Sequence, residues 1–295
     1  MIWFAWIEAE KAKNPTMSIA RACQALQVSR SGYYAWLKRR REPLRGRAAE
    51  DAVLLEAIRA VRARSPQFAC YGSPRMHREL VALNHVCGRH RVARIMRINR
   101  IEGRRARRDK RRRSVPLRKR PEVRDLVRRR FRAEAPNRLW CTDLTMIRTG
   151  QGWLWATVVI DVFSRRIVSW ATADRDNAET SVEALRVAIK IRRPPPGCIV
   201  HSDRGYQFVA HDWLNTLTTA GMQPSMGETG TALDNALMES WFASFKTETL
   251  YPAGKIATRA EARELLFRHV VWHNDTRRHS ALSYQSPATY ENINC

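Results

Sequence analysis

Apolar residues recur at helical spacing near the start of the chain. Ser18 and Ser29 are good N-caps, and each precedes a short run with one apolar face. The two faces consist of Ile19, Ala22, Cys23 and Leu26, followed by Tyr33, Trp36 and Leu37. This pattern, followed by the basic run Lys38 to Arg41, predicts a helix-turn-helix over residues 18–37, whose second helix can enter the major groove of DNA. A generic helical hairpin is the alternative.

A second pair of helices is predicted over residues 71–101. Ser73 and Pro74 are typical of an N-cap and a first helical turn, and Gly88 separates two helical runs. On the second run an apolar face of Val92, Ile95 and Met96 alternates with a basic face of Arg91, Arg94 and Arg97. The basic face predicts contacts with DNA phosphates, and a solvated helix face is the alternative.

A basic segment without apolar periodicity follows. Residues 104–120 contain eleven Lys or Arg and one acid, which predicts a linker over residues 104–134. The linker either becomes ordered along a DNA backbone or serves only as a soluble tether. The candidate DNA contacts in it are Arg107, Arg108, Lys110, Arg111, Arg112 and Arg113.

Beyond Trp140 the periodicity changes from helical to extended. Short runs of β-branched and aromatic residues predict five strands. After the third strand, runs with helical spacing alternate with the remaining strands. The predicted strands cover residues 142–147, 153–161, 166–172, 198–203 and 222–226, and the predicted helices cover 178–191, 208–220 and a long stretch from Asp234. The order β-β-β-α-β-α-β-α predicts an α/β fold in which helices cover a mixed five-stranded sheet.

Length and composition suit a multidomain protein without a membrane span. A chain of 295 residues normally forms two or more units, and no apolar stretch approaches the ~20 residues that cross a bilayer. Acids near the start differ from the basic residues of a signal peptide, so we expect a soluble cytoplasmic protein. The six cysteines include no Cys-x-x-Cys pair, which disfavours a disulfide framework and the common zinc sites.

The positive charge is concentrated in the first half. The net charge is +25, and residues 1–134 contain 36 Lys and Arg against 12 Asp and Glu, whereas residues 135–295 contain 17 against 16. This asymmetry favours a DNA-gripping half joined to a half with another task. Charge alone leaves open a disordered basic arm or an RNA binder.

Three acids are placed where a metal site can form. Asp143 lies on the first strand, Asp203 follows the fourth, and Glu239 lies in the last helix. If the first and fourth strands are neighbours, the aspartates approach each other, and their oxygens suit Mg²⁺ or Mn²⁺. Lys246 shares the helical face of Glu239 and is a candidate phosphate ligand, or else an exposed lysine. Asn235 lies in the first turn of that helix, where free amides can meet DNA.

The motifs WCTDLT, HSDRGYQ and DNALMES, with Lys246 seven positions after Glu239, resemble the integrase core of DDE transposases and retroviral integrases. More narrowly, the chain resembles the OrfB transposases of the insertion-sequence-three family, through its helix-turn-helix units and its closing segment HNDTRRHSALSYQSPATY. The resemblance implies a ribonuclease-H-like catalytic core over residues 135–250. It also implies that Asp143, Asp203 and Glu239 are catalytic ligands of two Mg²⁺ ions, for which Mn²⁺ substitutes.

The resemblance further implies a DNA transposase that cleaves and transfers strands of a bacterial insertion sequence. Its implied partners are double-stranded DNA (terminal inverted repeats and target), further copies of itself on DNA, and an upstream-frame OrfA protein, as a separate chain or a frameshift fusion. We expect it at the nucleoid. The predicted domains are residues 1–60 (first helix-turn-helix), 61–103 (second), 104–134 (linker), 135–250 (core) and 251–295 (C-terminal helical segment). A catalytically silent DNA-binding regulator and a ribonuclease-H-type nuclease are the alternatives.

Overall fold

The computed structural model describes residues 2–41, 46–104, 123–227 and 235–295. The chain divides into two compact units, Met1–Ala57 and Ile58–Cys295. The six basic residues predicted as DNA contacts between positions 107 and 113 lie outside the described residues, as does Asp234. None of the described helices is long and apolar enough to cross a membrane.

The first unit contains the predicted helix-turn-helix helices. Its helices are α1 (Ile2–Lys13), α2 (Ile19–Ala25) and α3 (Arg30–Arg41). Both predicted caps are present, because the Ser18 and Ser29 hydroxyls accept the amides of Arg21 and Gly32 at 3.4 and 3.2 Å. A small core joins the three helices through Ile7, Cys23 and Tyr33. The sequence did not predict α1.

Four further helices precede the sheet: α4 (Arg47–Ala63), α5 (Pro66–Ala69), α6 (Ser73–Ala82) and α7 (Arg89–Ile98). Gly72 occupies the N-cap position of α6, so Ser73 is the first helical residue and not the cap that the sequence predicted. Gly88 precedes α7, as expected for the predicted break. The apolar face of α7 is buried through Val92, Ile95 and Met96, which confirms the predicted periodicity.

Within the described residues, five strands form one mixed sheet of order β3-β2-β1-β4-β5. The strands are β1 (Leu139–Thr149), β2 (Gly152–Asp161), β3 (Ile167–Ala173), β4 (Ile199–Ser202) and β5 (Gln223–Met226). β1, β2 and β3 are antiparallel, whereas β4 is parallel to β1 and to β5. The predicted meander is therefore confirmed, and the first and fourth strands are neighbours, which was the condition for the two aspartates to approach each other.

The later helices cover the two faces of this sheet. They are α8 (Ala178–Arg192), α9 (Tyr206–Val209), α10 (His211–Thr219), α11 (Ala236–Phe245), a π-helix (Lys246–Leu250), α12 (Tyr251–Ala253), α13 (Arg259–Asp275), a 3₁₀ turn (Ser280–Leu282) and α14 (Pro287–Asn294). The single helix predicted over residues 208–220 is two helices, because Ala210 between them has an extended backbone (φ −61°, ψ 144°).

The interior strand β2, which lies between β3 and β1, explains the layered core. Its residues Leu154, Ala156 and Val158 pack with residues of α11 and α13, whereas Val159 packs on the other face with residues of α8 and α10. A strand buried on both faces is apolar throughout, which is why this run lacks polar alternation. The sheet is thus a rigid platform between two helical layers.

Candidate active site

Strand pairing brings Asp143 and Asp203 to the same region of the sheet. The parallel register of β1 and β4 sets Cys141 beside His201. Asp143 lies two residues beyond Cys141 on β1, and Asp203 follows the last residue of β4. Because neighbouring strands lie about 4.8 Å apart, this register carries the two aspartates side by side as the sequence predicted.

The helix that carries Glu239 is tied to β1 beside Asp143. The buried side-chain amide of Asn235 donates to the Thr142 carbonyl oxygen at 3.1 Å. The backbone oxygen of Asn235 in turn accepts the Glu239 amide at 3.1 Å. Asn235 therefore joins the start of α11 to the residue before Asp143, and its predicted contact with DNA stays a prediction.

The charges of Asp203 and Glu239 act on the Asp143 carboxyl. Burial raises the pKa of the Asp143 carboxyl well above its ordinary value, and the charges of Asp203 and Glu239 raise it further. The Leu144 amide, which donates to Asp143 Oδ1 at 2.7 Å, opposes this rise. Asp143 is half-buried, whereas Asp203 and Glu239 are exposed. The site is accordingly a concentration of negative charge with two solvent-facing members.

The three carboxylates lie farther apart than the ligands of a bound metal ion. Across the described ranges, no group of three or more His, Cys, Asp or Glu side chains is arranged so that it could hold a metal ion. Mutual repulsion is expected to keep such groups apart until a cation compensates their charge. The acids offer only oxygen donors, which suits Mg²⁺ or Mn²⁺.

Lys246 lies at a change of helix type. α11 ends at Phe245, and Lys246 opens the π-helix that runs to Leu250. The sequence predicted an uninterrupted α-helix from Glu239 to Lys246, so the prediction is correct up to Phe245. π-turns are frequent at functional sites because they reorient the side chains that follow.

Comparison with known proteins assigns the chain to a family. Models of an integrase core domain match residues 133–232 and 220–287, and a model of an HTH-like domain matches residues 48–109. The transposase InsF for insertion sequence IS3A of Escherichia coli (strain K12) is 33% identical, over 99% of each chain. An uncharacterized 31 kDa protein of insertion element IS600 from Shigella sonnei is 34% identical, over 91% of this chain and 96% of its own. The chain belongs to the IS3-family transposases.

Two viral proteins of known structure are similar to the transposase. A chain of the simian T-cell lymphotropic virus intasome, in complex with PP2A regulatory subunit B56 gamma, matches 77% of this chain and 74% of its own, with 16% identity and a TM-score of 0.48. The HTLV-2 integrase catalytic core domain in complex with magnesium matches 53% of this chain and 97% of its own, with 16% identity and a TM-score of 0.43. Family membership makes the protein a DDE transposase with an integrase core and an HTH-like domain.

In this transposase the π-helix is held by a buried ion-pair network. Arg277 donates to both oxygens of Glu248, from Nε and Nη2 at 2.8 Å each. Arg75, on α6, donates to Glu248 Oε1 at 3.3 Å. Both Glu248 and Arg277 are almost fully buried. The end of the Glu239-bearing helix is thereby fixed by the closing segment and by the HTH-like region.

A second set of contacts fastens the same two regions. Arg278 is ion-paired with Glu79 of α6, and its backbone amide donates to the Tyr71 hydroxyl at 3.0 Å. Trp272 contacts the rings of Tyr71 and Phe68, with centroids 6.2 and 6.4 Å apart. The predicted second helix-turn-helix region is therefore packed within the same compact unit as the catalytic core.

The basic residues and histidines of the closing segment make packing contacts within the second unit. His273 is buried, and burial together with the Arg277 charge lowers its pKa to about 3. Arg277 is buried against Glu248, and Arg278 and His279 are half-buried. All four residues pack inside the unit. The roles of Glu248 and Arg75 were not predicted, because the polar segment HNDTRRHS gives no sign that its arginines are buried.

The predicted DNA-contacting arginines of α7 differ in exposure. Arg97 is exposed, and Arg91 and Arg94 are half-buried. All three lie away from the buried face of Val92, Ile95 and Met96. Their geometry is compatible with the predicted basic face, and their contacts with DNA stay a prediction.

Proposed function

We propose that this transposase cleaves and rejoins DNA strands with divalent metal ions, and that Asp143, Asp203 and Glu239 form its catalytic centre. The observation that carries the proposal is the placement of three carboxylates from three separate elements of an integrase core: β1 and β4 pair beside Asp143 and Asp203, and Asn235 ties the Glu239-bearing helix to β1. Gathering like charges costs free energy unless a cation compensates for it, so such a cluster favours metal chemistry over a structural role.

We assign these three residues as ligands of two Mg²⁺ ions, for which Mn²⁺ substitutes. When bound, the ions supply Lewis-acid activation of the attacking and departing phosphodiester oxygens. The chain contributes orientation: Asp143 is held by a continuous strand, and Asn235 holds the start of α11 against that strand. His201 is buried and bonded to the Ser225 hydroxyl at 2.9 Å, which favours a packing role over acid–base catalysis.

The cationic residues would bind the substrate. Lys246 would hold a phosphate of the DNA terminus beside the carboxylates, and Arg91, Arg94 and Arg97 with the basic residues 107–113 would bind the duplex backbone. The substrates would be the element's terminal inverted repeats and a target duplex, bound by several copies of the chain at the bacterial nucleoid. The upstream-frame OrfA protein would assist, as a separate or fused chain.

The proposal is tested by cleavage and strand-transfer assays with end-labelled duplexes that carry the element's inverted repeats. We expect Asp143→Asn, Asp203→Asn and Glu239→Gln each to abolish cutting and joining while retaining DNA binding, because each loses a ligand charge at nearly constant volume. Asp212→Asn and Glu264→Gln are matched controls on exposed helix surfaces and should stay active. Isothermal titration of Mn²⁺ should show weakened binding in the three variants only.

The pattern of products separates the alternative functions. A ribonuclease-H-type nuclease gives metal-dependent cuts without joints, and a silent regulator gives neither. Metal-dependent joining by any of the three variants removes that residue from the assigned centre. Equal Mn²⁺ affinity in wild type and all three variants contradicts the metal assignment as a whole.

A further inference from the structure

A cavity of about 310 Å³ lies within the second unit, on a side of α11 that the carboxylate site does not use. Its walls come from α6, from the turn between β2 and β3, from α11 and from the closing segment. Three arginines line it, Arg75, Arg165 and Arg277, together with the hydroxyls of Ser240 and Ser244. Within the portion of the chain that the structure describes, no acidic side chain is among the lining residues.

The positive charge around this cavity exceeds the negative charge that contacts it. Arg75 and Arg277 share the single carboxylate of Glu248. Arg165 donates through Nη2 to the Phe131 carbonyl oxygen at 3.1 Å, which is a neutral partner. Asp161 also influences Arg165, but it is itself ion-paired with Arg192 at 3.7 Å. Counted over the residues that the structure describes, the three arginines thus exceed the acids in contact with them by about two charges.

The pKa of a neighbouring histidine is consistent with this excess of positive charge. His279 also lines the cavity, and its pKa lies well below the ordinary value. Desolvation of the ring is the largest cause, and the charges of His273, Arg277, Arg75 and Arg165 lower the pKa further. A positive field that extends over a half-buried wall favours an anionic ligand.

The cavity has the donors and the size for a phosphate group. Guanidinium groups bind phosphate oxygens through paired N–H donors, and serine hydroxyls add further donors. Ser244 Oγ accepts a hydrogen bond from Arg277 Nη2 at 3.2 Å, which leaves its own hydrogen for another acceptor. The volume is far above the ~10–15 Å³ that holds one water molecule, so a phosphate with part of its sugar fits.

Helix geometry separates this cavity from the carboxylates. The lining residues Leu237, Ser240, Trp241 and Ser244 follow the i, i+3, i+4, i+7 pattern of one helical face. Glu239 lies roughly opposite on the same helix. An anion in the cavity is therefore shielded by α11 from the negative charge of the carboxylates.

We propose that this arginine cavity binds a phosphate group and that the backbone of bound DNA supplies it. The DNA source rests on the proposed function, whereas the phosphate chemistry does not. A backbone phosphate held here would fix the duplex against α6, α11 and the closing segment simultaneously. It would thereby couple DNA binding by the HTH-like region to the position of the Glu239-bearing helix.

Inorganic phosphate tests the chemistry independently of DNA. Thermal melting of the full chain is measured in phosphate and in chloride at equal ionic strength, for wild type, Arg165→Gln and Arg166→Gln. Arg166 is the matched control, since it is the adjacent half-buried arginine and is paired with Glu291 outside the cavity. Preferential exclusion of phosphate stabilises all three alike. We expect additional stabilisation in wild type and Arg166→Gln, and its loss in Arg165→Gln.

A salt series with a fluorescent duplex, in the absence of divalent metal, tests the source. Because each neutralised phosphate contributes about −0.9 to the slope of log affinity against log salt, Arg165→Gln should flatten this slope by roughly 0.9. Arg166→Gln should keep the wild-type slope. If Arg165→Gln loses the stabilisation by phosphate but keeps the wild-type salt slope, the cavity binds phosphate, and DNA is not the source of that phosphate.

A second variant covers the possibility that Arg165→Gln fails to fold. Ser240→Glu puts a carboxylate at the exposed edge of the cavity and leaves all three arginines in place. It should remove the phosphate-specific stabilisation while the protein still melts cooperatively. If Arg165→Gln or Ser240→Glu is stabilised by phosphate to the same extent as wild type, the cavity does not bind phosphate and the proposal is wrong.

Discussion

Removing the negative charge of Glu248 should destabilise the second unit far more than removing an exposed acid. In Glu248→Gln the bidentate partner of Arg277 loses its charge at nearly constant volume, and a buried guanidinium is left uncompensated. Both side chains are only 6% exposed, so solvent screening is weak. Breaking a buried pair by removing one partner typically costs about 3–5 kcal/mol.

This free energy corresponds to a measurable change in melting temperature. For a unit of this size each kcal/mol shifts Tm by about 2–4 °C, so Glu248→Gln should melt roughly 6–20 °C below wild type. The assay is thermal unfolding followed by circular dichroism at neutral pH. Glu264→Gln is the control: it removes an exposed i,i+4 partner of Arg268, which should change stability by less than about 0.5 kcal/mol.

A double-mutant cycle completes the test. Arg277→Met should destabilise to a similar extent, because among the described residues it leaves Glu248 only the longer ion pair with Arg75. The double variant Glu248→Leu with Arg277→Met should be much less destabilised than the sum of Glu248→Leu and Arg277→Met measured singly, since it removes both buried charges. A loss below about 1 kcal/mol in Glu248→Gln, or additive losses in the cycle, would refute the view that this network fastens the HTH-like region to the core.

Three further predictions concern the site and the DNA grip. The pKa of Asp143 is raised in the folded state, so its contribution to the free energy of unfolding is fully present below the unfolded-state pKa and is lost as pH rises through the folded-state pKa, by at most about 1.4 kcal/mol per pH unit. In metal-free buffer, Asp143→Asn should remove this loss from melting curves measured across pH. An unchanged pH profile in the variant contradicts the prediction. Lys246→Ala should reduce both crosslinking to the terminal phosphates and strand transfer, while the exposed-lysine control Lys255→Ala behaves as wild type. If Lys246→Ala transfers strands as well as wild type, Lys246 contacts no phosphate. A fragment of residues 58–295 should keep most of the salt dependence of duplex binding, because residues 1–57 contain only 10 Lys and Arg against 6 Asp and Glu; a slope reduced by more than half would contradict this.

The sheet could be predicted from the sequence because its determinants are local. The β-branched run of β2 and the short turn before β3 indicate a meander, and the β-β-β-α-β order permits the fourth strand to lie beside the first, as it does in the structure. That neighbour relation was sufficient to bring Asp143 and Asp203 together. α1 was missed because Trp3 and Trp6 remain 52% and 48% exposed, so its apolar residues do not mark one buried face.

The contacts that join regions were not predictable, because they link residues far apart in sequence. Glu248 meets Arg277 across 29 positions and Arg75 across 173, and no periodicity encodes such pairs. The charge asymmetry suggested that DNA binding resides before residue 134 and catalysis after it. In the structure Arg75 and Glu79 lie on one side of that position and their partners on the other, so a cut there would expose both ion pairs. The boundary between compact units lies at residue 57.

The three carboxylates differ in what holds them in place. Asp143 lies in the middle of an eleven-residue strand and is paired with Val158 of β2, with further pairs to β2 before and after it. Asp203 follows the end of a strand, and Glu239 is carried by α11, which is attached to β1 through Asn235 and is followed by the π-helix that contains Glu248. The position of Glu239 therefore depends on two attachments outside the strand. If the three carboxylates hold Mg²⁺ as proposed, substitutions at either attachment should change metal affinity without altering the strand.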